Sequence, residues 1–376
     1  MASLFDNTTL SGEGIRSLIR LRGGLPPEHR FTAWKYLLRL PGNSAAFAEL
    51  VARGPHPAAL ASLATRYPVR DRKAFRKTAV LISALAHWSP ILAEVEFVPS
   101  WVFPFVVVFS QDDLGAFEAA MSFLLHWGSR LLSTFPQPPV PVLAGMELAL
   151  RRADAELAAH LASVSVGALS YGWPLLRSAF SEVLAREDWL RLVDRVLASA
   201  DRPQLLEAAA VGFAVASRSR LLPLRWTEGT KAFFRRRQSV DLREMFRVME
   251  RVAGFGAAPE GRGGGAGGRR RRAGVAGRGD VDGTMAALAL LGSVPCGFKP
   301  LPVGAYPHFD GFPQFVVNYQ AELRERVAKQ EREMETKRRM VEELGQRAKS
   351  IVAREDAMER AEEAVDSTST LCLLDA

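Results

Sequence analysis

The stretch Leu169–Val196, LSYGWPLLRSAFSEVLAREDWLRLVDRV, constrains the fold more than any other part of the chain. Trp173, Leu176 and Phe180 recur at spacings of three and four, and Trp189, Leu192, Val193 and Val196 do the same beyond the joint Arg186-Glu187-Asp188. Such spacings put apolar side chains on one face of a helix, and a helix with one apolar face must bury it against a partner. Two amphipathic helices meeting at a short acidic joint predict a core built by helix on helix.

The same period runs through most of the chain. A helix is expected around Ile15, Leu18 and Ile19, ended by Gly23-Gly24. The next, EHRFTAWKYLLRL, opens after Pro26-Pro27, where proline suits a first helical turn, and puts Phe31, Trp34, Leu37 and Leu38 on one side. Further helices are expected over residues 44–51, 57–65, 71–87, 114–132, 142–152, 153–164, 203–216 and 240–252. The β-branched run in FPFVVVF has strand character, but helices flank it and a single strand has nothing to pair with, so it is read as helix. The fold class expected is all-α.

Charge and composition change abruptly after residue 255. Six arginines fall between Arg262 and Arg278, in the run GRGGGAGGRRRRAGVAGRG, and this insert carries most of the net charge of +8. Its composition cannot bury enough apolar area to offset chain entropy, so disorder is expected there. Five segments result: a helical domain over 1–255, a Gly/Arg-rich linker over 256–283, an apolar patch and loop over 284–318, a charged helix over 319–366, and a frayed tail over 367–376. In the charged helix, opposite charges recur at i,i+4, and Leu323, Val327, Met334, Val341, Leu344, Ala348 and Ile351 form a sparse heptad seam. A long exposed helix or weak coiled coil is expected.

Several function classes find no residues to carry them. No apolar run approaches the roughly 20 residues of a membrane span, and the start MASLFDNTTL has no secretion-signal pattern. Cys296 and Cys372 stand in no metal or redox spacing, which makes a reducing compartment the default. No phosphate-binding loop, nucleophile elbow or zinc-protease motif occurs, and His29, His56, His87, His126, His160 and His308 share no ligand spacing. No catalytic, cofactor-binding or metal-binding residues are therefore assigned. Nucleic-acid binding through the insert ranks last, because no aromatic residue is interleaved with its arginines.

Three stretches, in order, resemble the TBC (Tre-2/Bub2/Cdc16) domain family. PPEHRFTAWKYLLRL is similar to that family's opening helix, in which an arginine and a tryptophan precede a double leucine. Tyr171–Phe180 followed by Trp189–Val196 is similar to its later signature, with Trp173, Phe180, Arg191 and Asp194 at the family positions, and Pro203–Leu222 is similar to the apolar helix that follows. LISALAHWSPIL, FPFVVVFSQDD, PHFDGFPQFVVNYQ and neighbouring stretches resemble one branch of the family, the WD-repeat TBC proteins of centrosomes and cilia. No WD repeats precede the helices here, so the chain resembles the rear portion of such a protein.

The resemblance implies an all-α TBC domain and, as family chemistry, acceleration of GTP hydrolysis by Rab GTPases. In that chemistry an arginine from I-x-x-D-x-x-R and a glutamine from Y-x-Q are supplied in trans. Both should fall between Tyr67 and Phe105. The arginine candidates are Arg72 and Arg76 with Asp71, at the wrong spacing, and where the glutamine should follow LISALAHW the chain reads SPILAEVEFVPSW; the next glutamine is Gln111. The function expected is thus a catalytically degenerate Rab-GAP TBC domain acting as an adaptor at the centrosome, centriolar satellites and ciliary basal body in cilium biogenesis. The alternative is an active Rab GTPase-activating protein. The resemblance further implies centriolar or ciliary protein partners, a Rab GTPase, and the regulatory subunit of protein kinase A, for which Val341, Leu344, Ala348, Ile351 and Val352 form the nearest amphipathic stripe.

Overall fold

The computed structural model of the protein describes residues 12–66, 71–254 and 297–374. The expected leader, the Gly/Arg-rich insert, the MAALALLG patch, Cys296 and the Cys372 side chain lie outside the described residues. Among those described, every regular element is helical. In chain order they are α1 (Gly12–Arg22), α2 (Pro27–Leu38), α3 (Ser44–Ala52), α4 (Pro57–Arg66), α5 (Arg72–Trp88), α6 (Val98–Val108), α7 (Asp113–Phe123), α8 (Ser129–Leu132), α9 (Val140–Ala153), α10 (Ala155–Ser163), α11 (Ala168–Tyr171), α12 (Trp173–Arg177), α13 (Arg186–Ala198), α14 (Leu205–Ala216), α15 (Arg218–Leu221), α16 (Thr227–Phe233), α17 (Leu242–Ala253) and α18 (Gln314–Leu374). The segment read as helix against its strand propensity is α6, where Trp101, Val102, Phe105 and Val106 are buried.

The opening stretch departs from its expected shape at one point. α12 ends at Arg177, and Ala179 and Phe180 take left-handed φ angles of 44° and 64°. Phe180 therefore enters the core from a turn rather than from a third helical turn. The turn is held because other helices serve its carbonyls: the Trp101 indole donates to Leu176 O at 3.2 Å and the Trp189 indole donates to Ala179 O at 2.8 Å. Carbonyls left without an intrahelical donor at a helix end need such partners when buried.

An aromatic chain runs through the core. Trp34 of α2 meets Phe105 of α6 at 6.0 Å and Trp189 of α13 at 6.4 Å between ring centroids, and Phe105 continues to Phe123 of α7 at 5.7 Å. Asp194 of α13, fully buried, sits beside it. It accepts hydrogen bonds from the Leu25 amide at 2.8 Å, the Arg30 Nε at 3.1 Å and the Trp34 indole at 2.7 Å. Arg30 in turn donates to Leu25 O at 2.8 Å. Burial pushes the Asp194 carboxyl above the usual carboxylate range, against the pull of the Leu25 amide, Arg30 and Trp34. Every group facing it is an N–H donor, so the ionised acceptor is the form the site fits.

α14 and α17 pack backbone against backbone. A Cβ on Gly212 would lie 2.5 Å from Met245 O, so only glycine allows the two backbones to meet there. Glu207, on the same helix and 3% exposed, faces Arg130 of α8 at 3.4 Å, and burial raises its carboxyl pKa.

The residues from 297 to 313 close the helical unit, which extends to Pro313. Asn43 donates to Pro302 O at 2.9 Å and accepts from the Gly304 amide at 2.7 Å, while the Trp88 indole donates to Pro307 O at 2.8 Å. Beneath this strap, buried Glu118 accepts the Gly42 and Asn43 amides at 3.0 and 2.7 Å and the Tyr306 hydroxyl at 3.3 Å. α18 forms a second unit. It starts before and ends after the expected 319–366, reaching through the segment read as a frayed tail. Val327, Met334 and Val341, then Leu344, Ile351 and Met358, repeat at seven residues on its exposed surface.

Three stability outcomes follow from this packing. Asp194→Ala strands the Arg30 charge in the core and should cost about 3–5 kcal/mol in denaturant unfolding. Gly212→Ala should cost about 1–3 kcal/mol by forcing α14 from α17. For Glu207 the folded pKa lies above the unfolded one, so its contribution is fully present below the unfolded value and is lost as pH rises through the folded value. Stability measured against pH should therefore fall more in the wild type than in Glu207→Gln as pH rises through that range; parallel curves would contradict it.

Candidate functional site

The residues nominated by the family motifs lie at opposite ends of α5. At its start, Asp71 accepts from the Lys73 and Ala74 amides at 2.7 and 3.1 Å, and these backbone hydrogen bonds hold its carboxyl below the usual range. Asp71 is thus the helix cap. Arg72 and Arg76 follow on the first turns, both exposed, and Arg76 Nε donates to Arg72 O at 3.3 Å. Lys77 ties this end to the α6–α7 connection, donating to Ser110 O at 2.8 Å and to Asp113 at 2.7 Å. The Ser110–Gln111 turn is thereby brought to the basic end of α5.

The segment expected to supply the glutamine leaves the other end. From Arg76 to Ser89 the helix rises roughly 20 Å at its ordinary pitch, so neither arginine stands beside that segment. Pro90–Ala93 forms one 3-10 turn with Ile91, Leu92 and Ala93 buried, and Val95 is buried after it. Alternation then leaves the Glu94 and Glu96 side chains outward.

These two carboxylates border a cleft of about 660 Å³. Its wall is aromatic, with Phe97 and Trp173 edge to face at 5.4 Å, and Glu182, Arg177 and Gln137 stand around it. The glutamine present here, Gln137, comes from the proline-rich turn between α8 and α9 rather than from the segment after α5. The cleft draws on residues 94–100, 131–138 and 173–182, so sequence reasoning did not find it; the acidic alternation in LAEVEF was the one local sign.

Among the described residues no group of three or more His, Cys, Asp or Glu side chains is placed to hold a metal ion, and no helix is long and apolar enough to cross a membrane. The family-signature residues behave differently from the catalytic nominees. Arg30, Trp34 and Asp194 converge in one buried hydrogen-bonded cluster; Trp189 packs on Trp34, and Phe180 is buried against Phe213. Arg191 lies against Gly24, whose Cβ position would fall 2.8 Å from Arg191 Cγ.

No family model matches the chain. It is 32% identical over 335 residues to TBC1 domain family member 31 of Xenopus tropicalis, covering 89% of this chain and 28% of that protein. It is 30% identical over 339 residues to the Homo sapiens protein of the same name, again covering 89% of this chain and 28% of the relative. The chain thus spans little more than a quarter of the length of these relatives. Among solved structures, the Ypt/Rab-GAP domain of Gyp1p superimposes with a TM-score of 0.54 at 15% identity, over 66% of this chain and 94% of that one. The Chlamydomonas flagellar RabGAP TBC domain does so with a TM-score of 0.53 at 14% identity, over 66% and 86%. The chain is a homologue, along 89% of its length, of proteins named TBC1 domain family member 31, and it has the fold of Rab-GAP TBC domains.

Proposed function

We propose that this TBC unit is a protein-binding scaffold that contributes no GTPase-activating chemistry of its own. The observation that carries the reading is the segment after α5, which presents Glu94 and Glu96 and no glutamine. An arginine finger is worth about 10³–10⁵ in rate because it offsets negative charge on the phosphates. A carboxylate acts in the opposite sense, opposing rather than offsetting negative charge that gathers on phosphate oxygens. Arg72 and Arg76 stand a helix length from this segment, and the arginine that borders the cleft, Arg177, comes from α12 rather than from the motif position.

The resemblance to centrosomal and ciliary TBC proteins supports a place for the scaffold at the centrosome, centriolar satellites and basal body, as an adaptor in cilium biogenesis. α18 supplies a second binding element. Its exposed stripe of Val341, Leu344, Ile351 and Val352 suits a coiled-coil partner or the regulatory subunit of protein kinase A. The second reading, an active Rab GTPase-activating protein, rests on one contact: Lys77 brings Gln111 to the end of α5 that bears Arg72 and Arg76.

Single-turnover GTP hydrolysis across a panel of Rab GTPases separates the two. Less than about ten-fold stimulation, unchanged by Arg72→Ala or Arg76→Ala, is the expected result, set against the 10³-fold or more of a working finger. Larger stimulation that is lost in either variant and in Gln111→Ala would establish the second reading.

A further inference from the structure

The excess positive charge is not confined to the Gly/Arg-rich insert. Between Ser217 and Val240 the folded chain carries Arg218, Arg220, Arg225, Lys231, Arg235, Arg236 and Arg237 against a single carboxylate, Glu228. Arg218 is committed to Asp154 and Glu156, and Lys231 to Glu228. Arg225, Arg236 and Arg237 are exposed and make no ion pair among the described residues. Trp226, 64% exposed, follows Arg225 at the start of α16, and Arg235, Arg236 and Arg237 follow its end.

That tryptophan is held in place while open to solvent. Its indole lies over Gly229, where a Cβ would fall 2.5 Å from Trp226 Cε2. Thr230 and Phe234 turn inward with no exposure, anchoring α16 through Phe234 against Tyr171 and Phe213. Trp226 caps the helix from extended backbone, but its indole lies over Gly229, and Gly229 and Phe233, four residues apart, share one flank of the helix. The Arg220 guanidinium lies over the Phe233 ring at 5.1 Å and donates to Gln238 Oε1 at 3.2 Å. The result is an exposed indole at one end of a seven-residue helix and three exposed arginines at the other, of which Arg236 and Arg237 make no ion pair among the described residues.

We propose that this face, Trp226 with Arg225, Arg235, Arg236 and Arg237, docks peripherally on an anionic phospholipid membrane. The partner must offer negative charge and an apolar layer in the same place. A bilayer bearing anionic lipids does so at headgroup depth, where indole rings settle and each nearby arginine adds to the attraction. A single-stranded nucleic acid would favour several stacking rings rather than one. This inference is independent of the hydrolysis reading above.

The test is co-sedimentation of the full chain with vesicles of phosphatidylcholine alone or with about one third phosphatidylserine. Binding to the anionic vesicles only is expected. The triple variant Arg235→Gln/Arg236→Gln/Arg237→Gln should lower partitioning on the order of a hundred-fold. Trp226→Ala should weaken it on both low and high salt, with an unchanged unfolding midpoint, since the side chain is exposed. A companion variant with the four arginines Arg269–Arg272 changed to Gln measures what the insert contributes. The proposal is overturned if the triple variant and Trp226→Ala bind as the wild type does, or if only the insert variant loses binding. It is also overturned if vesicles are ignored while a single-stranded RNA binds and is lost with the same face.

Discussion

Asp194 joins α13 to the first helices of the unit through one carboxylate. The donors it collects come from Leu25, Arg30 and Trp34, more than 150 positions earlier in the chain, and each reaches an oxygen that is shielded from water. A buried charge of this kind is tolerable only while fully partnered, because the desolvation cost is met by hydrogen bonds that no solvent can replace. The spacing Arg30–Trp34 puts both donors on one face of α2, one turn apart, and the Pro26-Pro27 start orients that helix toward α13. The aromatic chain from Trp34 through Phe105 to Phe123 then builds outward from the same point.

Two other close fits keep the remaining helices in register. Gly212 lets α14 and α17 meet backbone to backbone, and the indoles of Trp101 and Trp189 take the carbonyls freed where α12 breaks. Left-handed φ at Ala179 and Phe180 costs on the order of 1–3 kcal/mol each, and persists because the surrounding packing determines it. The strap over residues 297–313 adds a clasp through Asn43, Glu118 and Trp88.

Most of this was legible in the chain because helical period is a local signal. The positions of α2, α5, α14 and α17 follow from apolar spacing to within about two residues, while the caps Asp71 and Asp241, which fix two of the starts, were seen only in the structure. The break before Phe180 was not legible, since spacing cannot show that the indoles of Trp101 and Trp189 take the carbonyls of a broken turn. Short α15 and α16 hold too few residues for any period, and with them went the basic face around Trp226. The cleft escaped for another reason: Glu96, Gln137 and Arg177 meet only in three dimensions. Residues of the fold were thus easier to read than residues of the site, because Arg30, Trp34 and Asp194 carry a pattern and the cleft does not.

On the scaffold proposal, the family fold stands without the family chemistry. Arg30, Trp34 and Asp194 form their buried cluster, while the segment after α5 carries Glu94 and Glu96 where the resemblance leads one to expect a glutamine. The most direct measurement of that separation is complex formation with a Rab GTPase loaded with GDP and aluminium fluoride, a mimic of the hydrolytic transition state, which an enzyme complementary to that state binds far more tightly than its ground state. The account predicts that affinity for any Rab is the same with and without aluminium fluoride. A complex that forms only when aluminium fluoride is present would contradict it.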